Sequence, residues 1–251
     1  MTRATLQLVV AVWLTLGIAR GQEAAPRVPS GLDPGGVAVA LFSTGIDYTV
    51  PHIAARLARD GEGEIIAWDF EANDNRPFDK SRGHTPPEWG GDATSIASAM
   101  LEDARVRIVA IRIIPSDFAS LARAIAFTAQ TPARIAVVPM WSSRREDWDG
   151  FAQAASHFKD VLFIVAGSEA PDPVFPAALN LENTIAVSSS RFGASKGFGG
   201  AARQLSGSPF ALAAASRAAA AALAREPKLG IAELKRRLLE GGSDAAWRAG
   251  R

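Results

Sequence analysis

The 251-residue sequence contains no cysteine. That excludes a disulfide-stapled scaffold, a thiol nucleophile, cysteine-ligated zinc and iron–sulfur clusters. Histidine is nearly as scarce, with three: His52, His84 and His157. Most acid–base chemistry near neutral pH uses a histidine, so the catalytic options are few. Neither sign of charge is in surplus, the formal net charge being +1. Phosphate recognition needs Lys and Arg concentrated on one face, so nucleic acid is not an expected partner. Metal and nucleotide signatures are missing too, and no cofactor is expected. Asp69, Asp74 and Asp79 have no EF-hand-like spacing and read as solvated turn acids. What is present is globular: 48% hydrophobic and 21% charged residues exclude disorder, and the length allows one large core.

The chain opens with Arg3 and an apolar run from Leu6 to Ala19, followed by Ala19-Arg20-Gly21 and polar Gln22-Glu23. A basic start, a short apolar centre and small residues before the cut describe a secretory signal peptide over residues 1–21. An uncleaved anchor is the competing reading, but the run is short for a bilayer span. Cleavage lowers the basic count from 27 to 25 against 26 acidic residues, a net charge of −1. The expected destination is therefore secreted or periplasmic, with no membrane span left in the mature chain. Residues 22–36, with Pro26, Pro29, Pro34 and several glycines, predict an extended, poorly ordered arm. One domain follows, over 37–245.

Continuous apolar runs recur from there: Val37 to Phe42, Ile65 to Trp68, Ile108 to Ile114, Ile135 to Val138, Val161 to Ala166 and Thr184 to Val187. Strands apolar on both faces predict a mostly parallel sheet covered by helices on each side. Helical patterns lie between them, at Ile53 to Arg59, at Thr94 to Glu102, from a Ser116 cap through Phe118 and Ile125, and around Trp148 and Phe151. An Ala-rich helix from Pro209 to Arg225 and a shorter one from Ile231 to Leu239 finish the chain. The expected fold is an α/β three-layer sandwich, in which ligands bind beyond the carboxyl ends of the strands. Those ends are Ser43-Thr44-Gly45, Pro139-Met140-Trp141 and Gly167-Ser168. Trp141 and Ser142, beside Arg144 and Arg145, and Gly167 are the candidate binding residues, since Trp with Arg is common at binding hot spots. The spacing of Trp148 with Phe151 predicts helix core instead.

These segments resemble the subtilases, the subtilisin-like serine proteases. Phe42-Ser43-Thr44-Gly45-Ile46-Asp47 with Val50-Pro51-His52-Ile53 is similar to the family's Asp-Thr/Ser-Gly-Ile-Asp strand end and the His-Pro pattern after it. Gly91-Asp92-Ala93-Thr94-Ser95-Ile96-Ala97-Ser98 resembles Gly-His-Gly-Thr-x-Val-Ala-Ser/Gly. Val165-Ala166-Gly167-Ser168, then Phe175-Pro176-Ala177 and Ile185-Ala186-Val187, resemble Ala-Ala-Gly-Asn, Tyr-Pro-Ala and Val-Ile-Ala-Val. Gly207-Ser208-Pro209-Phe210-Ala211 resembles Gly-Thr-Ser-Met/Phe-Ala. The likeness runs in the family's order from about Val37 to Leu239 and implies a subtilisin-like fold.

Carried over position by position, the resemblance implies that the engine is gone. Ser43 stands where the family has its orienting Asp, Asp92 at the general-base His, Ser168 at the oxyanion-hole Asn, and Pro209 at the nucleophilic Ser. A hydroxyl nucleophile needs a base within hydrogen-bond reach, and that base needs an orienting acceptor. An unperturbed carboxylate, with a pKa of about 4, is a weak base for a serine proton. Pro209 has neither hydroxyl nor backbone N–H. The alternative is an active endopeptidase with a displaced triad of Ser208, His84 and Asp47 or Asp92. His52, at a position where the family often has a calcium-binding carboxylate, is a poor ligand for that hard ion. The stretch from Val187 to Gly207 lacks the family's Ala-Pro-Gly turn, which implies a trimmed substrate wall. The expectation is an exported pseudoprotease with a peptide- or protein-binding or scaffolding role.

Overall fold

The computed structural model describes residues 25–103, 105–167, 172–188 and 208–241. The predicted leader, Ser168 and the glycine-rich run from Gly193 to Gly200 lie outside them.

Six strands form one parallel sheet: β1 (Val37–Ser43), β2 (Trp68–Asp69), β3 (Val106–Arg112), β4 (Ile135–Val138), β5 (Leu162–Ala166) and β6 (Thr184–Val187). Their order across the sheet is β2-β3-β1-β4-β5-β6. Alternate side chains of each strand feed two separate cores, as the period of two demands. Val39, Leu41, Ile108, Ala110, Val137 and Ile164 face one layer. Ala40, Phe42, Val109, Ile111, Val138 and Phe163 face the other.

The first core is closed by α2 (Ala93–Met100), α5 (Ser208–Arg225) and α6 (Ile231–Gly241), the second by α3 (Phe118–Thr128) and α4 (Asp149–His157). A one-turn helix, α1 (Pro51–Ala54), precedes them. Alanine explains the seat of α5: Ala211, Ala213, Ala214, Ala215, Ala219 and Ala220 are all buried. Small side chains let its backbone approach both the sheet and α2. Arg217 then ties α5 to α2, donating to the Ala99 carbonyl at 2.7 Å and pairing with Glu102.

Four local expectations are corrected. The Ile53 to Arg59 helix is cut to Pro51–Ala54, because Leu57 bridges Ile108 and Arg59 bridges Ile65; sheet pairing outcompetes a marginal helical pattern. For the same reason the Ile65 run contributes only Trp68–Asp69 to the main ladder. Asp117, not Ser116, caps α3: Ser116 has a left-handed φ of 63°, and the Asp117 carboxylate accepts from Ala119 N at 3.0 Å. The arm is fastened rather than loose. Tyr48 Oη donates to the Pro26 carbonyl at 2.6 Å and Arg59 Nη2 to the Pro29 carbonyl at 2.6 Å. Asp33 accepts from the amides of Gly35 and Arg59 at 2.7 and 2.8 Å and pairs with Arg107. Proline and glycine composition reported the extended backbone but not these partners.

Candidate functional site

β1 leaves the sheet between β3 and β4, where the strand order changes direction, so its end opens onto the crevice that such folds use for ligands. Ser43 closes β1 and is buried. Its Oγ accepts from the Gly45 amide at 3.1 Å and lies 3.5 Å from the Ile111 carbonyl. The turn needs glycine next: Gly45 has φ +117°, and a Cβ there would meet the Phe78 carbonyl oxygen at 2.4 Å. Thr44 Oγ1 bonds Thr85 Oγ1 at 2.6 Å, which ties the strand end to the loop leading into α2. Asp79 anchors that loop, accepting from the amides of Ser81 and Gly83 at 2.8 and 2.7 Å.

Asp92 sits at the N-cap of α2. Its Oδ1 accepts from Ser95 N at 3.1 Å and its Oδ2 pairs with Ser95 Oγ. Both oxygens thus serve the helix start, where four amides lack intrahelical partners. Asp47 is brought to the same place by Thr94, whose Oγ1 accepts from Asp47 N at 2.9 Å. Its own carboxylate holds the Thr49 amide at 2.9 Å. The result is a cleft of about 740 Å³, bordered by Pro26, Asp47, Asp79, Arg82, Asp92 and Thr94.

The remaining candidates are dispersed. His84 is exposed and its Nδ1 lies 3.1 Å from the Ser81 carbonyl of its own loop. Ser208 begins α5 with Pro209 in the first turn, where a missing N–H costs nothing; the Ser208 side chain, like Ser168, lies outside what is described. The Gly167 amide donates to the Val187 carbonyl at 2.8 Å. Ser142 Oγ accepts from Trp148 Nε1 at 3.0 Å and lies 3.1 Å from Asp147. Trp148 is fully buried, whereas Trp141 is 37% exposed. A Ser–His contact occurs elsewhere: His52 Nε2 is 2.9 Å from Ser98 Oγ, but that hydroxyl donates to the Thr94 carbonyl at 2.8 Å. Its proton is therefore directed away from the ring.

The apolar run from Ile108 to Ile114 is broken only by Arg112, to which the sequence assigns no role. Arg112 pairs in register with Ser43, donates to the Thr44 carbonyl at 2.9 Å and to Asp69 at 2.8 Å, and also pairs with Glu71. Asp69 is 0% exposed and Asp79 is 4% exposed, so neither is the solvated turn acid expected from spacing. The available signal was the single charge inside an otherwise apolar run, since a buried guanidinium requires a partner.

No protein-family model and no curated protein matches the chain. Solved structures do. A cold-adapted subtilisin-like serine proteinase is 18% identical with a TM-score of 0.57, covering 84% of each chain. A lanthipeptide protease is 14% identical with a TM-score of 0.59, covering 82% of this chain and 80% of the other. MycP1 with its N-terminal propeptide removed is 16% identical at 0.54, covering 82% and 84%. The fold is therefore subtilisin-like: six parallel strands with helices on both faces.

Proposed function

We propose that the chain is an exported, catalytically silent subtilase homologue that binds a peptide or protein segment at its strand-end cleft. The observation that carries this reading is the state of Asp92. In the correspondence that the sequence resemblance implies, the place of the general base holds a carboxylate whose two oxygens both accept hydrogen bonds at the start of α2. Ser43, at the place of the orienting acid, bonds within its own turn, and Pro209 offers no nucleophile. Loss of one oxyanion donor alone removes about 3 kcal/mol of transition-state stabilisation, and here base and nucleophile are replaced as well. Trp141 supports the binding half, as an exposed indole at the end of β4 with Arg144 and Arg145 following.

A serine-directed fluorophosphonate tests the silent half. Purified residues 22–251 are expected to take up no label and to cleave no peptide. Labelling together with peptide turnover, both lost on Ser208→Ala, would establish Ser208 as a displaced nucleophile instead.

A further inference from the structure

The N-terminal arm is fastened at Asp33, one carboxylate set among guanidinium groups. Its Oδ1 accepts from the Gly35 amide at 2.7 Å, and its Oδ2 accepts from the Arg59 amide at 2.8 Å and from Arg107 Nη1. Arg56 lies beside them. Its Nη1 and Nη2 are 3.4 Å from the Pro34 and Gly35 carbonyls, and its Nε donates to the Val106 carbonyl at 2.9 Å. The acidic groups acting on Arg56 are Asp33 and Asp103. Asp103 is engaged by Arg105 in a two-point pair at 2.8 and 2.6 Å, which leaves Asp33 between the charges of Arg56 and Arg107. Burial holds the Arg56 guanidinium below its ordinary value; Asp33 acts against that, and the charge of Arg107 adds to it.

The carboxylate is an incomplete partner on two counts. It brings a single negative charge to two guanidiniums. It also leaves Arg107 Nε, which is buried and has no hydrogen-bond partner among the described residues. Buried N–H groups are normally paired, and one left unmet costs about 1–3 kcal/mol. Both Asp33 oxygens are in use, and a planar carboxylate has no third. A tetrahedral oxyanion supplies the further oxygen and a second charge, and arginine binds such groups through two parallel N–H bonds.

We propose that Arg56, Arg107 and the Arg59 amide form an oxyanion site, for hydrogen phosphate or sulfate, in which Asp33 is the internal occupant. The external anion takes over the Arg59 amide, pairs with Nε and Nη1 of Arg107 together, and meets the charge of Arg56. No covalent bond changes; one acceptor replaces another. Asp33 then leaves with the arm, which turns about Gly35, at φ +67° with nothing within 4 Å of where a Cβ would stand. The same arm carries Ala25 and Pro26 to the border of the cleft, so the exchange and the cleft share one movable segment.

Two measurements on residues 22–251 test this. Thermal melts in phosphate and in chloride of equal ionic strength test the site, and trypsin cutting after the exposed Arg27 tests the exchange. Asp33→Ala vacates the site, and Asp33→Asn is the milder change should alanine prevent folding. The vacated protein should melt several degrees higher in phosphate than in chloride, because an anion bound only by the folded state stabilises it. Adding Arg107→Gln to either variant should abolish that difference. In the unaltered protein phosphate should speed cutting at Arg27 several-fold, relative to a short peptide spanning the same bond. Equal melting of the vacated protein in both salts overturns the site, as does a phosphate effect that survives Arg107→Gln. Phosphate that stabilises the vacated protein yet leaves cutting at Arg27 unchanged overturns the exchange.

Discussion

Single side chains at the end of β1 do structural work that their positions in the sequence conceal. Arg112 is 7% exposed and Asp69 is 0% exposed, and breaking such a pair strands a charge in low dielectric, where it costs about 3–5 kcal/mol. Asp69→Ala should lower the unfolding free energy by less than that, about 1–3 kcal/mol in urea titrations, because Glu71 still pairs with the guanidinium. Asp69→Leu combined with Arg112→Met should lose less, since neither charge is then left alone. A loss no larger than that of an exposed ion pair would show that solvent reaches the guanidinium. Asp92 is a second instance. A carboxylate at that position reads as a weak base when set against a catalytic pattern, yet it is also one of the preferred N-cap side chains. Which role it plays depends on whether its oxygens are engaged, and both are, by Ser95.

At the scale of elements, the N-terminal arm shows how a segment without regular structure becomes fixed. Its clasp is Asp33, whose carboxyl is held below the ordinary carboxylate range: burial pushes it upward, but the amides of Arg59 and Gly35 and the charge of Arg107 outweigh that. A depressed folded-state value contributes stability that is present above the unfolded value and lost as pH falls through the folded one. Between about pH 5 and about pH 3, the melting temperature should therefore fall less steeply in Asp33→Asn than in the unaltered protein. Parallel curves would mean that the clasp does not couple to folding. The other end of the arm is held by Tyr48, whose hydroxyl burial pushes up to about 12; it remains a donor to the Pro26 carbonyl throughout the neutral range. The sheet itself was legible. Apolar runs marked Ile135 to Val138 and Thr184 to Val187 with the bounds that β4 and β6 have, because strands buried on both faces are mostly apolar. The Ile53 helix and the Ser116 cap were misread because single-turn choices are decided by neighbours distant in sequence.

For the whole molecule, the layered core and the binding surface are separable. Trp141 is 37% exposed and closes none of the core, so Trp141→Ala should leave stability within about 0.5 kcal/mol. Loss of a buried hot-spot indole from an interface costs about 2 kcal/mol or more, so the same variant should bind a partner roughly thirtyfold more weakly by calorimetry. Unchanged affinity would place the partner elsewhere on the surface. The amino-acid sequence alone determined the sheet's main strands and its two covering layers, because periodicity and burial are local patterns written in residue type. The subtilisin-like order of segments was legible only through the resemblance of its motifs to a known family. Asp92 caps its helix locally, through Ser95, three residues on. By contrast, only the tertiary structure decided what Arg112 does, because its partners, the Thr44 carbonyl and Asp69, lie far along the chain, and a hydrogen bond between such distant segments leaves no mark on the composition of either.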